Sequence, residues 1–461
     1  MDSNFREIAR ELANKHKDLY MDFNYFLQNE TRMEVDTQNT EISKGNDCGI
    51  KIRLWDGEKF LESASSATNR ESIEEMTKSL IERYKKSKED ITSTIELKTD
   101  KEKLEKEFKS ETKNPITSIS LEEKTDRLKK LKDDILKIDE DILNVRVLLV
   151  DTYEKHQYVN KYKSLSQEVI LGKLIFVAYI KCFDGLNRMA FKSFVDNDLR
   201  VFDTAYAHFK EFEKEVRNMK KAKKLSGGKY KVLLSPHITG LLAHESFGHG
   251  MEADTMMKDR ALASKWIGKK VGSDIVNIVD YPKMPGKHGE FYFDHEGNQA
   301  RKTYLVKNGI INEPMAGLYS KTQLDLKNSS NSRFESFDHK NYNRMSNTYF
   351  EAGPDSFEEM LSSIEDGIYI CGSAGGMEDP KGWGVQIQGC SGIEIKNGKL
   401  TENFFDGFAI TGFLPDIMKN IQGVSKEFDI DGGGFCGKGH KEWVRVSEGG
   451  PYLLISELVL G

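Results

Sequence analysis

The segment His244-Glu245-Ser246-Phe247-Gly248-His249 sets two imidazoles around a carboxylate. Neutral imidazole nitrogen suits Zn²⁺, and a glutamate beside the first histidine is where a metallohydrolase places its general base. The spacing, H-E-x-x-x-H, is one residue longer than the usual H-E-x-x-H. On a regular helix a four-residue step leaves two side chains about 40° apart, and a five-residue step turns them about 140° apart. The pair therefore chelates only from a helix distorted by a π-type bulge or a break, and Gly248 stands where a pliant backbone would help. Without context, two surface or hydrogen-bonded histidines are the plainer reading.

A catalytic zinc also needs a third protein ligand and an open position. Glu252 and Asp254 lie nearby in GHGMEAD, and Cys436 lies far away in GGGFCGKGH. Thiolate binds zinc strongly and flanking glycines let backbone approach a metal, whereas a free cysteine in a tight turn is ordinarily a small core residue. Spacing alone leaves the third ligand open. Gly432 to Lys438 also spells G-x-x-x-x-G-K, but Gly439 stands where a P-loop needs the Ser or Thr that holds Mg²⁺, so ATP binding is excluded.

The elements that must position these residues are legible in outline. The chain has 461 residues, 38% hydrophobic and 31% charged, enough for two large units and too apolar for global disorder. Phe5, Ile8 and Leu12 recur at helical spacing, Asp56-Gly57 marks a hairpin, and Thr68 or Asn69 caps a helix presenting Ile73, Met76, Leu80 and Tyr84. Between Lys101 and Val150, 24 of 50 residues are charged, 12 of each sign, which predicts a solvated helix over a polyanion-binding arm. Leu121, Leu128, Leu131, Ile135, Ile138 and Ile142 form a narrow seam in it, like that of a helical hairpin or short coiled coil, most simply packed on the chain's own body. Strands follow from Val145 to Phe194, and then a charged helix from about Val201 to Leu225. Ser226-Gly227-Gly228 is read as ending that helix and as the domain boundary. Beyond it, Asn308-Gly309 and Asn397-Gly398 signal two-residue hairpins in a mainly antiparallel β unit.

The expected fold class is α+β: an N-terminal α/β domain over 1-227 with a charged helical insertion near 87-142, then a β-rich domain over 228-461 carrying the distorted H-E-x-x-x-H helix. The net charge of -6 gives no whole-chain attraction to nucleic acid or anionic membrane, and no run approaches the roughly 20 apolar residues of a membrane span. The run Leu174 to Ile180 reads as a buried strand. MDSNFREIAR has neither the basic region nor the apolar core of a signal peptide, and five irregularly spaced cysteines predict free thiols, so a cytoplasmic protein is expected.

In these residues the chain resembles the TldD/PmbA family, and specifically its TldD-type members, which carry the metal motif that PmbA-type (TldE) partners lack. The resemblance runs through LLAHESFGHGMEAD, FYFDHEGNQARKTYLVKNGII, SRFESFDHKNYNRMSNTYF, GSAGGMEDPKGWGVQIQ and CGKGHKEWVRVSEGGPYLLISELVLG, and more faintly through EVDTQNTEISKGNDCGIKIRLWDG. It departs from the family pattern at Asp294-His295 and at Gly439-His440. It implies a cytoplasmic zinc metalloprotease acting on small or unfolded peptides, with His244, His249 and Cys436 as metal ligands and Glu245 as the catalytic base. It also implies a homodimer, or a heterodimer with a metal-free PmbA/TldE-type chain.

Chemistry then assigns further roles. A metal-activated water attacks the scissile carbonyl and Glu245 passes its proton to the leaving amine. Glu252 and Asp254 are expected to orient the imidazoles, and Arg344 and Asn347 are candidate contacts to a peptide backbone. An edge strand would take extended substrate by strand addition. The alternative is a binding or assembly module with a structural zinc, closed by Glu252 or His440 as a fourth ligand and lacking catalysis. A metal-free cysteine hydrolase built on Cys436 and His440 lacks an orienting third group.

Overall fold

The structure, a computed structural model, describes residues 4–90, 94–430, 432–440 and 442–461. The chain opens with α1 (Phe5–Lys15), which presents Phe5, Ile8 and Leu12 to the core. Strands β1 (Met21–Val35), β2 (Thr40–Trp55) and β3 (Phe60–Ser65) form an antiparallel meander. The Asp56-Gly57 turn closes its second hairpin, with the Asp56 carboxylate accepting from the amides of Glu58 and Lys59. Helix α2 (Arg70–Asp90) is capped by Asn69, whose side-chain oxygen accepts from Ser72 N at 2.9 Å. It buries Ile73, Met76 and Leu80 against the sheet.

The charged segment is helical only in part. Strand β4 (Leu104–Lys109) precedes α3 (Leu121–Leu136) and pairs parallel with a later strand, so six residues that read as charged helix lie on a sheet edge, where they tolerate charge. Leu128, Leu131 and Ile135 of α3 pack onto the chain's own sheet. Ile138 falls in the turn after the helix and Ile142 begins β5 (Ile142–Asn160), so the seam is a single helix and its exit. Strands β6 (Lys163–Lys181) and β7 (Asn187–Asp196) complete a seven-stranded sheet. Leu174, Phe176, Ala178 and Ile180 of β6 are fully buried at alternate positions.

Helices α4 (Arg200–Ala207) and α5 (Phe209–Lys220) break at His208, and α5 stops well before Gly227. The reason is a tertiary pairing: Lys223 N donates to Phe404 O at 2.9 Å, which pulls the chain out of the helix and onto the second sheet. All five helices cover one face of the first sheet. Its other face carries buried polar groups, Asp22, Asn24, Arg53, His156 and Gln167 among them, and these meet the C-terminal half. Arg53 bridges Asp22 and Glu296 at 2.6 and 2.8 Å, and Gln167 accepts from the amide of Tyr292 and donates to the carbonyl of Phe293.

The second, twelve-stranded sheet begins with β8 (Gly228–Leu234), which lies between strands Asp366–Gly372 and Glu442–Leu460. Pairings Glu442–Leu460 to Lys399–Phe413, Gly384–Lys396, Asp366–Gly372 and β8 return to the starting strand, giving a closed circuit of five. The sheet is mainly antiparallel. Asn308-Gly309 and Asn397-Gly398 form its tight hairpins, all four residues at positive φ as the mirror-image turn requires. No helix among the described residues is long and apolar enough to cross a membrane, and all five cysteines are free thiols.

Candidate metal centre

Helix α6 (Pro236–Ala243) starts where β8 ends, with Ser235 as its cap and Pro236 in its first turn. It does not run on as an α-helix. Residues His244–Gly248 form a π turn and His249–Met251 a 3-10 turn, the distortion the five-residue spacing demands. Gly248 serves a different purpose from pliancy. Its backbone is ordinary right-handed helix, but a Cβ there would lie 2.0 Å from Met345 Sδ, so glycine supplies room for the turn to pack. Gly240 does the same one level up, where a Cβ would fall 2.1 Å from Gly449 N.

Cys436 arrives from strand Gly434–Lys438, paired with the last strand at Cys436↔Val444. Ligand atoms of His244, His249 and Cys436 all lie within 4.8 Å of one another. His249 Nε2 is 3.6 Å from Cys436 Sγ, and the two imidazole rings stand nearly perpendicular, 84° apart. On their far sides, His249 Nδ1 lies 3.5 Å from Glu252 Oε2 and His244 Nδ1 lies 3.7 Å from Glu448 Oε2. Two nitrogens and a thiol thus converge with carboxylates behind both imidazoles, which is the donor set and the supporting arrangement a zinc ion requires.

Electrostatics agree. Burial alone would push the Cys436 thiol up, but the imidazoles of His249 and His244 hold it well below its usual range. Burial likewise opposes charge on the histidines, yet Cys436 and Glu252 raise His249 well above an ordinary imidazole, and Cys436 and Glu448 raise His244. Glu252 is buried, which alone would raise it, but Lys438, His249 and Arg344 hold it at about 2.

Of the two expected orienting acids, Glu252 faces an imidazole and Asp254 does not: Asp254 pairs with Lys438 at 2.6 Å. Glu448, absent from the sequence reading, fills the place behind His244; it lies 204 positions from His244 in the numbering, where no motif spacing reaches. Glu245 has no hydrogen bond to its carboxylate among the described residues, and its Cγ faces Gly376, where a Cβ would come within 2.6 Å. Glu378, two residues along the same strand face, keeps both carboxylate oxygens buried without a partner beside Gly250.

Arg344 and Asn347 are not positioned as substrate contacts. The Arg344 guanidinium donates to the carbonyls of Cys436 and Glu442 and so clamps the thiol-bearing strand. Asn347 is fully buried, giving its amide to Tyr281 O and taking that of Gly289. His295 is buried between the two halves, accepting from Phe334 N and stacked on that ring, and His440 is exposed; neither belongs to the cluster. The G-x-x-x-x-G-K segment runs into strand Gly434–Lys438, and its Lys438 is spent on Glu252 and Asp254.

The second half of the chain, residues 227–461, matches the PmbA/TldA metallopeptidase C-terminal domain. A metalloprotease of Methanocaldococcus jannaschii is 30% identical over 340 residues, 68% of this chain and 73% of that one. A metalloprotease TldD homolog of Buchnera aphidicola from Acyrthosiphon pisum is 26% identical over 92% of this chain and 89% of its own. A zinc metalloprotease TldD homolog of Saccharolobus solfataricus is 30% identical over about half of each chain, 54% and 55%. Among solved structures, TldE of Thermococcus kodakarensis superposes with a TM-score of 0.75 at 13% identity over 100% of this chain and 99% of that one, a likeness of fold. Taken with the converging imidazoles and thiol, these matches establish that the chain belongs to the PmbA/TldD family of metallopeptidases.

Proposed function

We propose that this chain is a zinc-dependent peptidase of the TldD type that hydrolyses small or unfolded peptides, with His244, His249 and Cys436 holding the metal and Glu245 as general base. The observation that carries the reading is the convergence of those three ligand atoms within 4.8 Å, with a glutamate on the turn that bears both histidines. Zinc, when bound there, supplies a Lewis acid that polarises the scissile carbonyl and acidifies water. Glu245 takes the proton of the attacking water and delivers it to the leaving nitrogen; free of chain hydrogen bonds, its carboxylate is available for both transfers. Glu252 and Glu448 stand behind the imidazoles, 3.5 Å from His249 Nδ1 and 3.7 Å from His244 Nδ1, where their charge favours the ligating orientation.

Extended substrate adds to strand Gly375–Asp379, which pairs with Gly384–Lys396 on one side and passes over Glu245 through Gly376. An open site is favoured over a closed structural zinc, because Glu252 is committed to Lys438 and His440 lies outside the cluster. The reading extends to a cytoplasmic enzyme organised as residues 1-227 and 228-461, acting as a homodimer or with a metal-free TldE-type chain. The reading includes no nucleic acid or membrane partner.

The test is metal content by mass spectrometry for the purified protein and for Cys436→Ala, each followed with a fluorogenic unfolded peptide with and without chelator. One zinc per chain, lost with the cysteine and matched by chelator-sensitive cleavage, is expected; zinc retained by Cys436→Ala removes the thiol from the ligand set. Glu245→Ala retains zinc and loses hydrolysis, and an active Glu245→Ala enzyme refutes the assigned base.

A further inference from the structure

A cleft of about 750 Å³ lies between the β2–β3 hairpin and the segments that follow the metal turn, away from the zinc ligands. Its charges do not balance. Each acidic side chain that lines it already has a cation beside it: Glu62 has Lys51 at 3.3 Å, Glu296 shares Arg53 with Asp22, and Asp254 shares Lys438 with Glu252. Four further cations line it, Lys59, Arg83, Lys258 and Lys340, all exposed, and none is within ion-pair distance of a carboxylate among the described residues. Arg83 donates only to the backbone carbonyl of Glu62. The cleft thus carries an excess of positive charge, five lining cations against three carboxylates, around an interior walled in part by the rings of Phe60, Tyr319 and Tyr342.

We infer that this cleft holds an acidic segment of the peptide substrate at a distance from the scissile bond. The volume falls in the range of pockets that enclose a drug-sized ligand, and a lone small anion would leave most of it empty. Aromatic walls suit the aliphatic stems of Asp and Glu side chains, while the four cations take their carboxylates. The cleft also shares a wall with the metal centre. Asp254 and Asn343 line it, and both hold Lys438, which in turn holds Glu252 behind His249. A chain anchored here is therefore held close to the catalytic turn, and the charge adds association rate and selectivity for acidic sequences. The inference rests on the peptidase reading for the identity of the ligand.

The test measures binding in an uncut complex. A fluorescein-labelled Glu-rich peptide and its Gln counterpart of equal length are titrated into zinc-loaded Glu245→Gln protein by anisotropy. The Glu peptide is expected to bind about tenfold tighter, the sum of several exposed charge pairs, with the advantage shrinking as salt is added. Lys59→Glu/Lys258→Glu/Lys340→Glu abolishes the preference, and the milder Lys→Ser set reduces it in case charge reversal disturbs folding. In the cleavage-competent protein the same substitutions raise KM for the Glu peptide and leave kcat, and turnover of short neutral peptides, unchanged. Equal binding of the two peptides, or a preference that survives the substitutions, overturns the inference. Inorganic phosphate displacing the Glu peptide at equal ionic strength, where chloride does not, assigns the cleft to a small anion and overturns it as well. Binding without hydrolysis in the parent protein sinks the peptidase reading and leaves the acidic cleft ligand standing, so the two failures are distinct.

Discussion

Lys438 Nζ lies 2.7 Å from Glu252 Oε2, and the same carboxylate oxygen lies 3.5 Å from His249 Nδ1, so one lysine fixes the group that fixes a metal ligand. Glu252 is 1% exposed, and without Lys438 its buried charge keeps only the more distant His249 imidazole and Arg344, whose Nε stands 3.8 Å away. Removing one partner of a buried pair costs about 3–5 kcal/mol because the other charge is left uncompensated. Lys438→Met is expected to lower stability on that order in denaturant unfolding and to weaken zinc binding. Lys438→Met/Glu252→Gln recovers only the part of the loss that belongs to Glu252, since Asp254 still lacks its partner, and does not recover zinc affinity. Unfolding midpoints of the single and double variants, with chelator competition for zinc, check both parts.

Gly248 gives a steric prediction. With a Cβ 2.0 Å from Met345 Sδ, Gly248→Ala must displace either the methionine or the π turn. Overpacking of this kind costs about 1–3 kcal/mol, and here the strain falls one residue before His249. Zinc occupancy should drop in Gly248→Ala and return in Gly248→Ala/Met345→Ala, read by metal content after dialysis. If the single variant binds zinc as the parent does, the steric role of this glycine is wrong.

These two relationships also mark what was legible in the residues. Periodicity found the faces of α1, α2 and α3, because a half-buried helix writes its core side at three- and four-residue steps. Turn chemistry found the Asn308-Gly309 and Asn397-Gly398 hairpins, since Asn-Gly is favoured where both residues need positive φ. The helical distortion followed from arithmetic on His244 and His249. What failed was non-local. Strand Leu104–Lys109 is charged because it lies on a sheet edge, and α5 ends at Lys220 because Lys223 pairs with a strand some 180 residues later. Asn347 reads as a polar group free to bind substrate, but in the fold it ties the two ends of the 281–289 loop together. Glu448 supports His244 from the last strand, and only the fold brings it there.

Zinc loading should be strongly pH dependent. The imidazoles favour the Cys436 thiolate, and Cys436 in turn favours the protonated forms of His244 and His249, so a metal competes with protons for these ligands. Zinc binding should therefore release protons, and affinity should climb with pH until the imidazoles are neutral. Calorimetric titration of the metal-free protein in buffers of different ionisation enthalpy gives the proton count directly. A count near zero would mean that the imidazoles are already neutral before metal arrives.

Glu290 sets a second pH dependence, this one on stability. It lines a cavity of about 320 Å³ between the two sheets, with Oε2 accepting from Gly286 N at 2.9 Å and Oε1 buried without a partner. Burial pushes its carboxyl from 4.5 up to about 7. Below pH 4.5 the folded and unfolded chains both carry the proton. Between 4.5 and 7 the unfolded chain releases it while the folded chain retains it, so stability falls as pH rises through that window and levels off above it. A shift of this size corresponds to on the order of 3 kcal/mol. Glu290→Gln keeps the shape and removes the titration, so its stability relative to the parent should grow from pH 4.5 to 7 and then stay constant. Urea unfolding of both proteins across pH 4.5 to 8 measures the difference, and parallel curves would show that the carboxyl titrates alike in both states.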